Sequence, residues 1–298
     1  MNRTRLLWTA WALVPVGLLA FHYGPGQRAS QAERAAELVA RADAARDGAE
    51  ALQSSAHALH VAAVEARARA AASAGEAALH RAALEAVAAE EAAYAASGAA
   101  WSGVAGTLEE AQALLAEAGS PRERDVRIAK AEALVRSGEV AAGANELEDM
   151  LGELTAERRA AHRAPGAGAG DAALEHRVRE ELATAYYHGA RLQRLAGAPE
   201  DEWRDAARHA REQFRYLAEE ARARGEAGGR VLDLERNVEL VLDLEQSAGD
   251  QVALKVKPRD CPSGQCKGLG TRKGKGRKPS DGTPSPGAGM QGEIGDGW

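Results

Sequence analysis

Two histidines and two cysteines are the residues of this sequence best spaced for chemistry. His57 and His60 stand three apart in an alanine-rich stretch, a spacing that puts both imidazoles on one helix face, where they could ligate a metal. No third ligand is evident beside them, and an exposed or interface pair is the preferred reading. Cys261-Pro-Ser-Gly-Gln-Cys266 closes a small loop if oxidised, because Pro and Gly between the thiols favour a turn. Outside the cytoplasm a local disulfide is the leading reading, with an intermolecular one left open. Four residues separate the thiols where a redox pair has two, and no further Cys or nearby His completes a zinc set.

The signatures of phosphate-binding loops, nucleophile elbows, zincins and dinucleotide folds are all absent. Asp and Glu are abundant, but pairing with Arg along helix surfaces accounts for them without acid–base catalysis. The sequence therefore predicts a non-enzymatic protein with no catalytic, cofactor or metal residues. Tyr187, Trp203 and Tyr216 belong to a cluster holding five of the twelve aromatic residues. Core packing explains most of that cluster, and these three are the candidates for a partner-binding groove.

The elements that would position these residues are helical. Aromatics make up 4% of the 298 residues and Ala dominates, which favours helices with small contact faces over a β-rich core. Leu6–Phe21 is an uninterrupted apolar run of sixteen residues preceded by Arg3 and Arg5. At about 1.5 Å per residue it extends roughly 24 Å, a little short of the ~30 Å of a hydrocarbon core unless Thr4, His22 and Tyr23 extend it into the interface. An uncleaved signal anchor over 1–26 is expected, ahead of a cleaved signal or a buried helix. The N-terminus would then stay inside a cytoplasmic membrane, with the body in the periplasm or its equivalent.

Residues 27–106 read as a long Ala-rich helix or coiled coil. A seven-residue series runs through Leu38, Ala45, Leu52, Leu59, Ala66, Ser73, His80, Val87, Tyr94, Trp101, Leu108 and Leu115, and Ala35, Ala42, Ala49, Ala56, Ala63, Ala70, Ala77 and Leu84 stand three residues before its first eight members. In that heptad the Leu series supplies most of the burial. An Ala-rich stalk without specific pairing is the alternative. Gly98, Gly103 and Gly106 are expected to end or turn the helix, and Thr107-Leu-Glu-Glu110 and Ser120-Pro-Arg-Glu123 read as capping boxes that open new ones.

Further helices are expected up to Ser137, from Val140 to about Ala161, over 181–197, from Asp201 to Arg224 and over 231–247, with a flexible linker at 163–171. Within them Ala133, Leu134, Gly138, Ala142, Leu147, Met150 and Leu151, and again Ala185, Tyr186, Gly189 and Ala190, resemble the small and apolar positions of tetratricopeptide repeats. The resemblance spans roughly 107–225, within a helical region placed at 107–250; a generic pair of helical hairpins is the alternative. The family implies a concave surface for a protein or peptide partner, and no ligand residue carries over. More loosely the chain resembles the membrane-anchored tetratricopeptide components that accompany von Willebrand factor A proteins and MoxR-type ATPases.

Residues 251–298 turn to Gly, Pro, Lys and Ser, a composition that predicts disorder. Nine Lys and Arg between 255 and 278 face only Asp260, a local balance of +8; a formal net charge of −6 leaves −14 for the rest. Such a tail suits an anionic envelope component or the acidic body itself, or serves solubility alone; without interleaved aromatics it does not suit nucleic acid. The expectation is an all-α, membrane-anchored interaction scaffold of a bacterial envelope that binds a protein partner, with a homo-oligomer left open. The alternative is a coiled-coil spacer that self-associates.

Overall fold

The computed structural model describes residues 25–73, 75–163, 172–226 and 228–246, together with positions 11, 13–16 and 21. The chain is all-α. From residue 25 the described residues form, in order, helices α1 (Pro25–Ala72), α2 (Ala77–Ala118), α3 (Glu123–Ser137), α4 (Val140–Arg163), α5 (Ala172–Leu195), α6 (Glu200–Ala223) and α7 (Gly228–Gln246). Each packs against the next in sequence, and α3 also touches α5. Ion pairs join Arg46 of α1 to Glu132 of α3, Arg177 of α5 to Asp125 of α3, and Arg230 of α7 to Glu180 of α5. The odd-numbered helices therefore lie side by side along one flank of a stacked array.

The first turn falls at Gly75, not in the Gly98–Gly106 region that the sequence points to. Gly75 has φ +118°, a conformation open to glycine and strained for other residues. Helix α2 runs without a break through all three later glycines and through Thr107, whose hydroxyl donates back to the Gly103 carbonyl at 3.0 Å instead of capping a new helix. A glycine inside a helix costs about 1 kcal/mol relative to alanine. Burial of Tyr94, Trp101, Val104, Leu108 and Leu115 on the same helix outweighs that. The boundary expected at 106/107 accordingly lies inside α2. The Ser120 boundary is where the sequence puts it: Ser120 Oγ accepts from the Arg122 amide at 3.3 Å, and α3 starts at Glu123.

The seam of the α1–α2 hairpin is built from the Ala series and not from the Leu series. Ala35, Ala42, Ala49, Ala56, Ala63 and Ala70 are all buried, whereas Leu52 is 41% exposed. Against them α2 sets Ala83, Glu90, Ser97, Val104 and Ala111, again seven apart, with Tyr94, Trp101, Leu108 and Leu115 four positions further on. A strict seven-residue repeat keeps one face toward the partner helix along the whole hairpin. The residue four after each seam position, not three, turns toward the rest of the protein.

Two apolar clusters meet at α3. One joins Ala35, Ala42 and Ala49 to Trp101, Leu108, Val126 and Ala133; the other runs from Ile128 and Val135 through Leu147, Met150, Leu182, Tyr187 and Phe214 to Leu234 and Val241. Helices α3 and α4 approach so closely that a Cβ on Gly143 would lie 2.6 Å from both the Ala131 carbonyl oxygen and Val135 Cγ2. Arg127 clamps the same pair of helices, donating to Glu146 at 2.8 Å and to Glu153 at 2.9 Å, while Lys130 Nζ lies 3.1 Å from Glu146.

Candidate interaction face

Across the odd-numbered helices the structure gathers a set of charges that lie far apart in sequence. Arg46 Nη2 lies 2.6 Å from Glu132 Oε1, and Arg136 Nη2 lies 2.8 Å from the same oxygen. Glu50 accepts from Arg46 Nε at 3.0 Å and faces Arg136 Nη1 at 3.5 Å. The Arg136 side chain is only 2% exposed, and its guanidinium stacks 4.7 Å from the Trp101 ring. Trp101 in turn donates from Nε1 to Gln53 Oε1 at 2.9 Å, so the indole is fixed on both its face and its edge. Burial pulls the Arg46 guanidinium down, but Glu132 and Glu50 hold it above its ordinary value; for Arg136 burial wins and the shift is downward.

Helix α5 adds a polar stripe. Arg177, Glu181, Thr184, His188 and Arg191 recur at three- and four-residue spacing, which places them on one side of the helix. Arg177 is exposed at the helix start, while Thr184, His188 and Arg191 are buried toward its end. Burial pushes the Glu181 carboxyl up to about 8, reinforced by the like charges of Glu132 and Glu180 and opposed by Arg136 and Arg177. Burial, with Arg191 and Arg136 nearby, drives the His188 imidazole down to about 3. At neutral pH both are therefore largely uncharged. His188 is 2% exposed, and Arg136 of α3 acts on both groups across the α3–α5 contact.

The sequence candidates are distributed differently. Tyr187 and Trp203 are core residues, 4% and 6% exposed, and so do not line a groove. Trp203 lies under two guanidiniums, those of Arg194 at 4.7 Å and Arg204 at 5.3 Å. Tyr216 alone of the three reaches the surface, 39% exposed, with Arg179 stacked 4.6 Å from its ring. His60 is committed to a neighbour: its Nδ1 lies 2.6 Å from Glu90 Oε1 in the α1–α2 seam, where Glu90 is fully buried and its Oε2 has no partner. His57 is exposed, its ring centroid 6.5 Å from that of His60. Among the described residues no three His, Cys, Asp or Glu side chains are placed to hold a metal ion. Cys261 and Cys266 lie outside the described residues.

The described surface also carries two open grooves. One of about 360 Å³ lies between α1, the end of α2 and the start of α3, lined by Ala36, Val39, Asp43, Leu115, Arg122 and Asp125 among others. The other, about 340 Å³, lies between α6 and α7 with Arg215, Glu219, Arg222, Glu235 and Glu239 on its walls.

Fold and site together define a stacked array of α-helical hairpins with an ion-paired flank. Comparison with protein-family models, curated proteins and solved structures finds no match to this chain.

Proposed function

We propose that this protein is a membrane-anchored, non-enzymatic scaffold whose helical array binds a protein partner in a bacterial envelope, through the flank formed by α1, α3, α5 and α7. The observation that carries the reading is the line of charges Arg46, Glu132, Asp125, Arg177, Glu180 and Arg230, contributed by four helices that the hairpin stacking brings side by side. Salt-bridged side chains on a fixed helical surface give a partner specific polar contacts at little ordering cost. Stacked hairpins are also what a tetratricopeptide-like unit requires, and the family reading itself rests on the residue resemblance.

The anchor reading rests on Leu6–Phe21. Most of that run lies outside the described residues, and among the described residues no helix is long and apolar enough to cross a membrane. Its described members Trp11, Leu13, Val14, Val16 and Phe21 are all exposed, and large apolar side chains in the open suit an apolar environment.

Affinity capture from membranes tests the binding reading, comparing the native chain with the charge swap Asp125→Arg plus Arg177→Asp. Both side chains are more than half exposed, and the swap keeps their mutual attraction while inverting the pattern offered to a partner. Recovery of one heterologous protein in stoichiometric amount, lost in the swap, is the expected result; equal recovery by both chains defeats the assignment to this flank. External protease on spheroplasts carrying a C-terminal epitope tests the topology, and a soluble, protected body would overturn the anchor.

A further inference from the structure

The α1–α2 hairpin has one broad side whose middle stretch bears no charge. In an antiparallel pair, the residues four after each seam position lie on one side of the hairpin and those three after lie on the other. The first side takes the rest of the array: Arg46 pairs with Glu132 of α3 there, and Trp101 carries Arg136. The second side presents Leu38, Leu52 and Leu59 from α1 and Leu79, Ala93 and Ala100 from α2, all half-buried or exposed. On this side α1 has no charged residue from 42 to 64, and α2 has none from 86 to 108. The hydrogen bonds Gln53–Trp101 and His60–Glu90 set these two stretches level with each other.

A stacked helical array needs a polar outer surface on its terminal unit to stay dispersed in water. The first hairpin offers the reverse, a ridge of Leu between rows of Ala, Ser and Gly. We infer that this side is a homodimer interface, occupied by the same side of a second copy related by a twofold axis.

Dimensions and charge single out that occupant. The uncharged stretch is ~35 Å long and about two helix diameters, ~20 Å, wide, or roughly 700 Å² per copy. Twofold burial then reaches about 1,400 Å², inside the ~1,200–2,000 Å² of stable interfaces. An uncharged face meets its own copy with no repulsion and leaves no charge unpaired, and its small side chains allow the close helix approach already used in the Ala seam. The basic segment 255–278 is a poor cover, since nothing on this side would pair its charges. The apolar run ending at Phe21 is separated from α1 by three residues. Folded back, it would lie along the first turns of α1, before residue 42. The inference does not depend on the partner-binding reading of the ion-paired flank.

The test is the molar mass of the full chain in mild detergent, by light scattering with the detergent contribution subtracted. The expected result is a dimer that falls to half its mass in Ser55→Glu plus Ala96→Glu, two exposed positions on this side, with the circular dichroism spectrum unchanged. Val61→Glu, exposed on the back of α1, should leave the dimer intact. A monomeric native chain overturns the inference, as does a dimer that survives the double substitution or is lost equally with Val61→Glu. If the double variant loses helicity, Leu52→Cys in a Cys261→Ser, Cys266→Ser background takes its place: a short bismaleimide should link two copies, and failure to do so overturns the inference.

Discussion

Substituting alanine for glycine at two sites in α4 should have opposite effects, because the two sites differ chiefly in what faces the new methyl. At Gly152, exposed and with nothing within 4 Å of an added Cβ, the substitution simply removes the glycine penalty in a helix interior. That gain is about 1 kcal/mol. At Gly143 the same methyl would sit 2.6 Å from the Ala131 carbonyl oxygen and 2.6 Å from Val135 Cγ2, well inside ordinary contact. Val135 could rotate, but the carbonyl belongs to the α3 backbone, so the helices must part by roughly 1 Å in a close-packed layer. Overpacking of this kind costs about 1–3 kcal/mol, and the propensity gain is smaller here because Gly143 lies in the first turn of the helix. The net expectation is destabilisation of about 1–2 kcal/mol, leaving the two variants roughly 2–3 kcal/mol apart. Thermal unfolding followed by circular dichroism resolves this, since a domain of this size shifts by about 2–4 °C per kcal/mol. If Gly143→Ala raises the midpoint as Gly152→Ala does, the α3–α4 approach is not as close as described and the argument fails.

Two carboxyls should respond to pH in opposite senses. The Glu181 carboxyl is raised to about 8, so its contribution is fully present below the unfolded value near 4.5 and is lost as pH rises toward 8; Glu181→Gln should leave the chain more stable than native at about pH 8.5 and little changed at about pH 5. Burial pushes the Glu146 carboxyl up, but Arg127 and Lys130 hold it lower than usual, so its contribution is present at neutral pH and lost in acid; Glu146→Gln should destabilise at about pH 7 and flatten the acid limb of the stability profile. Midpoints measured across pH for both variants check the two signs together. His60→Leu, which leaves Glu90 buried without its partner, should cost about 3–5 kcal/mol, whereas His60→Leu plus Glu90→Leu should be close to neutral; equal losses in the two would mean that the pair is not the unit described. Phe214→Ala, at a fully buried site, should cost about 3–5 kcal/mol in denaturant unfolding.

Much of the architecture is legible in the chain because it depends on local signals. Gly119, with φ +64°, and Gly138, with φ +97°, close α2 and α3 where the sequence places the ends, since a left-handed residue after the last turn satisfies orphan carbonyls that water or another cap would otherwise have to meet. The run of acids Glu200, Asp201 and Glu202 marks the start of α6 through the helix dipole. The three glycines of α2 misled because a glycine lowers helix propensity without forbidding a helix. The heptad was visible, but the choice between the positions three and four after each Ala was not, because it depends on where the rest of the protein lies.

The charged flank was legible only in part. The polar stripe from Arg177 to Arg191 can be traced by helical spacing along α5, and Glu132 with Arg136 is a recognisable i,i+4 pair. Nothing local shows that Arg46, 86 residues earlier, reaches Glu132, or that Tyr187 and Trp203 are sealed in the core while Arg136 is stacked on Trp101.

By itself the sequence determined that this chain is helical, roughly where the helices after the first one stop, and that its body is acidic beside a basic segment, because propensity, capping and composition act within a few residues. Only the tertiary structure decided which alanines form the seam, which aromatics are buried, which ion pairs bridge helices and which side of the first hairpin is left uncovered. Those outcomes depend on contacts between segments far apart in sequence, where burial and pairing in three dimensions override what each residue type favours alone.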